Sequence, residues 1–249
     1  MKKRLIIRLV LGLAFLVSTG CDSTSTQPEI TGIPLPSPVN PADFPKTITN
    51  PNPFWPLQVG TATRYVGQIP EGEEVILVEV TDKKKVVQGV TTTVVRDRVW
   101  LNGELIEDTD DWYAQDKDGN VWYFGEDAKN YKNGQISDRA GSWEAGVDGA
   151  LAGILMWAEP KVGSIYYQEY YKGEAEDVGE VLALNETVTV PIGTFQGCLK
   201  TEDTTALEPD VREYKYYCPG IGVVLEENVT EGTKVELVEM TTNGLVTGH

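Results

Sequence analysis

The sequence predicts a mainly β protein: an antiparallel meander of about ten strands forming a strongly curved sheet or half-barrel, with little helix. Three observations carry this. Short runs rich in β-branched and aromatic residues recur from Glu74 to Thr241, separated by turn chemistry. Asn102-Gly103 stands between two such runs, and both residues accept the positive φ that a type I′ hairpin turn requires. Helical periodicity, by contrast, is scarce throughout.

The first element is a leader. Lys2, Lys3, Arg4 and Arg8 form a basic start, and Leu9 to Val17 is an apolar run of signal-peptide length. It falls short of the roughly 20 apolar residues that span a bilayer. Ser18, Thr19, Gly20 and Cys21 follow, and this junction resembles the lipobox of bacterial lipoproteins, with Ser18 where that motif usually carries leucine. The resemblance implies a signal peptide over 1–20 and acyl chains, palmitate among them, on Cys21. The expected location is the bacterial cell envelope, on a membrane-anchored lipoprotein facing the periplasm or the exterior. Several acyl chains on one residue give stable anchoring where one alone is marginal. The alternative is an ordinary signal peptide cut near Cys21, leaving a free thiol.

A tether occupies residues 21–53. Nine prolines lie between Pro28 and Pro56, and each removes a donor and biases its predecessor toward extended backbone. The segment reads as a semi-rigid solvated spacer, about 100 Å long if extended at roughly 3.1 Å per residue. Phe54, Trp55, Pro56 and Leu57 are apolar enough to dock on the domain that follows, placed at 54–249.

Within that domain, strands are expected at Glu74 to Val80, Val86 to Val95, Val99 to Ile106, Asp111 to Gln115 and Val121 to Phe124. Asp116 to Asn120 reads as a hairpin turn. Gly141 to Trp157 has irregular periodicity and four glycines, which favours a long loop with a short helical turn. Further strands are expected at Ser164 to Tyr171, Val178 to Leu184, Thr187 to Val190, Gly193 to Thr201, Val211 to Tyr217, Gly222 to Glu227 and Thr233 to Thr241. Evenly spaced short strands of this kind build curved or barrel-like sheets.

Composition bounds the partners. Removing the leader takes away four basic residues and no acidic ones, so the formal charge moves from −17 to −21. Such an acidic surface repels nucleic acid and anionic head groups, so no nucleic-acid partner is expected. Cys198 and Cys218 remain, and an exported chain favours a disulfide between them over two buried thiols.

The runs DWYAQDKDGNVWYFGED (111–127), GSWEAGVDGA (141–150), QEYYKGEAEDVGEVL (168–182), VTVPIGTFQGCLKT (188–201) and YKYYCPGIGVVLEE (214–227) resemble a family of bacterial secreted proteins and lipoproteins without an assigned activity. The Val-Pro-x-Gly-x-Phe and Pro-Gly-x-Gly strand starts are also similar to the half-barrels of the LolA and LolB lipoprotein carriers. These resemblances imply a fold and no reaction.

No catalytic residue is identified. The sole histidine is the terminal His249, and a chain end does not position a general base. Asp116, Asp118 and Asn120, with Glu126 and Asp127 beyond, offer oxygen ligands near Gly119 and form a candidate calcium site, though the spacing departs from an EF-hand. Glu174, Glu176, Asp177 and Glu180 are a second acidic run able to attract a cation. Glu144, Asp148, Glu169 and Glu174 lie among aromatics, as in a carboxylate-pair glycan hydrolase, the alternative to a non-enzymatic role. Six tryptophans and eleven tyrosines either pack a core or line a cavity for a hydrophobic ligand. The leading expectation is an envelope-anchored ligand-binding or scaffolding domain.

Overall fold

The structure, a computed structural model, describes residues 32–243 and 245–247. The leader, Cys21 and His249 lie outside the described residues.

One antiparallel meander runs through β1 (Thr61–Ile69), β2 (Gly72–Val87), β3 (Val90–Leu101), β4 (Glu104–Gln115) and β5 (Val121–Lys132). The short β6 (Gln135–Asp138) and β7 (Trp143–Glu144) pair with β5, and β8 (Leu151–Met156) continues the sheet beyond it. After β9 (Ile165–Tyr167) and β10 (Glu169–Tyr170), a second meander comprises β11 (Asp177–Val190), β12 (Gly193–Thr205), β13 (Glu213–Cys218), β14 (Gly222–Asn228) and β15 (Thr233–Thr242). β16 (Leu245–Thr247) pairs with β15, and β15 pairs with β1, joining the two meanders.

The sheet goes further than a half-barrel. Its two ends are β10, paired with β8, and β9, paired with β11, and only Gln168 separates them in the chain. One short segment therefore changes partners in mid-course, and the sheet is nearly closed. Closure satisfies the edge groups an open sheet would leave for another chain. It also explains Gly153 on β8, where an added Cβ would lie 2.3 Å from the carbonyl oxygen of Gln168.

Turn chemistry sets the register of the first meander. Gln88-Gly89, Asn102-Gly103 and Asn133-Gly134 each join two strands with both residues at positive φ, from 48° to 83°. That is the twist a two-residue hairpin needs. Asn102 does more, since its Oδ1 accepts from the Glu73 N–H and its Nδ2 donates to the Glu71 carbonyl.

The stretch expected to be a long loop with a helical turn is instead stranded. β5 continues to Lys132, and Leu151–Met156 forms a strand whose last five residues are buried. Its Leu-Ala-Gly-Ile-Leu-Met run lacks alternation because it is covered on both faces, so periodicity could not reveal it. Among the described residues there is no α-helix, only a 3₁₀ turn at Pro41–Asp43 capped by Asn40.

The Pro-rich segment packs on the barrel from this turn onward, ahead of Phe54. Phe44 meets Trp122 and Phe124 edge-on, and the buried Asn52 binds Gln115 Oε1, the Gly119 carbonyl and the Trp157 carbonyl. Trp55 then lies against Tyr113 and Tyr217, as the apolar Phe54–Leu57 stretch led us to expect. The cavity left beside Trp55 is about 50 Å³. That is room for a water or two, not for a lipid.

Candidate functional site

Two of the barrel's lysine–carboxylate sites stand out, one inside at Lys215 and one outside at Lys85. The inner one follows from strand alternation. On β13, Glu213, Lys215 and Tyr217 are buried while Tyr214 and Tyr216 are less so. Lys215 pairs across the ladder with Thr201 on β12 and Glu226 on β14, while Glu213 pairs with Asp203. Directly paired residues share a face, so these groups converge inside the sheet. Lys215 Nζ is 3.1 Å from Asp203 Oδ2 and 3.9 Å from both Glu213 Oε2 and Glu226 Oε2. The lysine is 3% exposed.

Acids continue around the interior. Glu74, Asp97, Glu107, Asp111, Glu126, Glu169 and Asp177 are all buried. Trp143 Nε1 donates to Glu169 at 2.8 Å and the Tyr123 hydroxyl donates to Asp111 at 2.7 Å. Gly67 sits between Glu74 and Val235 in the ladder, and Val235 is next to Glu226 in strand order. A Cβ at Gly67 would lie 2.6 Å from the Lys234 carbonyl oxygen, so the close approach of β1 to β15 requires glycine here.

Crowding many carboxylates in a buried space favours their neutral forms. Burial, reinforced by Glu226 and Glu107, pushes Glu74 up to about 8. Burial raises Asp177 and Glu226 to about 7 each, against the pull of Lys215. Glu169 and Glu213 are also raised, by burial and then by Asp177 and Glu226 respectively. Burial works against the charge on Lys215, but Asp203, Glu226 and Glu213 more than offset it and hold the lysine protonated. The cluster is thus a set of buried acids, Glu213 and Glu226 among them raised, around the buried Lys215 cation.

The outer site is a cleft of about 640 Å³. Val94, Asp110 and Trp112, on β3 and β4, line it together with Lys83, Lys84 and Lys85 of β2 and Ser142, Trp143 and Glu144 at β7. Lys85 reaches across to Glu144 at 2.7 Å while its Nζ lies 3.3 Å from the ring centre of Trp112. Both side chains of that ion pair are about a third exposed. The walls also meet where Gln88, in the β2–β3 turn, abuts Gly146, so closely that an added Cβ there would lie 2.6 Å from Gln88 Nε2.

The candidate calcium ligands are not gathered. Asp116 Oδ1 accepts from the N–H groups of Asp118 and Asn120, and Oδ2 accepts from Asn120 Nδ2 and Trp122 Nε1. Both oxygens therefore organise the turn itself, while Asn120 Oδ1 accepts from the Ala158 N–H. Asp118 is exposed, Glu126 is buried on β5, and Asp127 pairs with Lys129 and Arg139. Among the described residues, no three His, Cys, Asp or Glu side chains are placed to hold a metal ion.

The carboxylates weighed for hydrolysis are scattered too. Glu169 is interior, Glu144 is in the outer cleft, Asp148 sits at positive φ in an exposed turn, and Glu174 lies in another exposed turn. Of the second acidic run, Asp177 enters the interior while Glu176 Oε1 accepts from the Gly173 N–H. Cys198 and Cys218 form a disulfide.

Both lysine sites escaped sequence reasoning. For Lys215 the signal was its phase, two residues from Glu213 and from Tyr217. For the cleft it was the Lys83-Lys84-Lys85 run in so acidic a chain.

No family model matches the sequence, and no curated protein matches it either. Two solved structures are similar in shape. One, from Bacteroides fragilis, is named as an exported protein with a YmcC-like fold, with a TM-score of 0.46 and 16% identity over 77% of this chain and all of that one. The other, named as a lipoprotein from Parabacteroides distasonis, has a TM-score of 0.44 and 15% identity over 78% of this chain and all of that one. Likeness at this level is silent on activity.

Proposed function

We propose that the protein is an envelope-anchored, non-enzymatic binding domain whose ligand is held in the outer cleft and not inside the barrel. The observation that supports this is the contrast in space: about 640 Å³ open beside Trp112, against about 50 Å³ beneath Trp55. Recognition sites combine an aromatic surface with a few placed polar groups, and the cleft has both. The basic leader, its short apolar run and the Gly20-Cys21 junction support a lipid on Cys21. The Pro-rich segment would then give the barrel reach from the membrane before it packs at Asn40–Leu57.

Native mass spectrometry of the mature protein from its own host tests the binding role. A bound mass carried by the wild type and lost from Glu144→Lys, which reverses one wall of the cleft, is the expected result. A mass that survives Glu144→Lys, or none at all, overturns it. For the anchor, radiolabelled fatty acid is expected on the wild-type chain and not on Cys21→Ser, which should leave the membrane fraction. An unlabelled wild type would contradict the anchoring.

A further inference from the structure

The outer cleft already holds a cation that belongs to the chain itself. Lys85 Nζ is 3.3 Å from the centre of the Trp112 ring and 2.7 Å from Glu144 Oε2. An aromatic face attracts a cation through its quadrupole, and a carboxylate beside it selects one that can donate a hydrogen bond. Trp112 is itself 5% exposed and fixed in the β3–β4 ladder opposite Val94, so its ring is a rigid platform. Lys85, in contrast, is partly exposed, on the strand leading to the β2–β3 turn.

We propose that this cleft is a receptor for a ligand's primary alkylammonium group, and that Lys85 is a resident stand-in which the ligand displaces. This rests on reading the cleft as the binding surface, and it adds the class of ligand. The stem of Lys85 marks the path of an alkyl chain toward Trp112, and the strong negative charge of the protein draws cations toward it. A lysine side chain on an envelope peptide and a free diamine share this chemistry.

The test is to remove the stand-in. Lys85→Met keeps an unbranched stem but lacks the ammonium, and binding is followed by titration calorimetry and by the Trp112 indole N–H resonance. We expect Nα-acetyl-lysine methylamide to bind Lys85→Met at least about tenfold more tightly than wild type, the scale of one well-placed cation–π contact. The norleucine analogue should not bind, and adding Glu144→Gln should weaken the amine about tenfold. Cadaverine in parallel separates the sources: tighter binding than the lysine amide assigns a free diamine, and weaker binding assigns a peptide side chain. Equal affinity of wild type and Lys85→Met for both amines, or equal binding of norleucine, overturns the proposal. Circular dichroism checks the fold, and Lys85→Gln replaces Lys85→Met should the latter unfold. A host-derived mass lost from Glu144→Lys alongside amine failure would sink the ligand class and leave the binding site standing.

Discussion

Lys215 and Lys85 are both ammonium groups held by carboxylates, yet they face opposite sides of the same barrel wall. Lys215 is 3% exposed and meets acids from its own strand and from both neighbours, β12 and β14. Lys85 has one carboxylate and one indole, and about a third of its side chain is open. Partner chemistry alone does not separate them. Burial does: a sealed pair couples to folding and protonation, while an open pair contributes little to stability and can exchange partners.

The largest expected effect breaks the inner site. Lys215→Met leaves three carboxylates without their cation and should cost roughly 3–5 kcal/mol at pH 8 in urea unfolding. At pH 5 the loss should shrink, since Glu213 and Glu226 are already raised by burial and can take protons instead. An equal loss at both pH values would show that these neighbours do not titrate.

Cys198→Ala with Cys218→Ala comes next. Opening a link with a sequence separation of 20 should cost about 3 kcal/mol on the chain-entropy estimate. No ionisable group is removed, so this loss should be the same at pH 5 and pH 8. A strongly pH-dependent loss would mean that the disulfide positions the Lys215 cluster.

Smaller still is the wild type's own pH response. Glu74 is raised to about 8 and Asp177 and Glu226 to about 7, so the folded form keeps protons that the unfolded chain releases. That stabilisation is complete below the ordinary carboxylate range near pH 4 and is lost as pH rises through 7 to 8. Tm should therefore rise by at least about 3 °C between pH 8 and pH 5, equivalent to about 1 kcal/mol for a domain of this size. A fall over that interval would contradict the buried-acid description. Last, Lys85→Met should change stability by less than about 1 kcal/mol, with no difference between pH 5 and pH 8.

The same contrast explains what the sequence made legible. Alternation and local turn chemistry predicted the β class, and Asn102-Gly103 and Asp116 to Asn120 form the turns expected of them. Leu151–Met156 was missed because a strand covered on both faces reads like any apolar run. Closure of the barrel depends on Ile165–Tyr170 changing partners around Gln168, which local pattern does not encode. The acid interior is a long-range property as well. Each carboxylate sits in an ordinary alternating strand, and only the registry of strands around the whole sheet, from β2 to β5 and from β10 to β14, brings them to one interior. For Lys85, Trp112 and Glu144, the two ends of the ion pair are 59 positions apart in sequence. Their meeting depends on the β2–β3 turn contacting the loop at Gly146.

The most direct test of this inside–outside division is the labelling rate of each lysine in the folded wild-type protein. Reductive methylation at low reagent concentration, read by peptide mass spectrometry, should modify Lys85 at least about tenfold faster than Lys215. Lys215 should react only as fast as the barrel unfolds, the regime of a group exposed by global opening. Comparable rates for both lysines under native conditions would contradict the division.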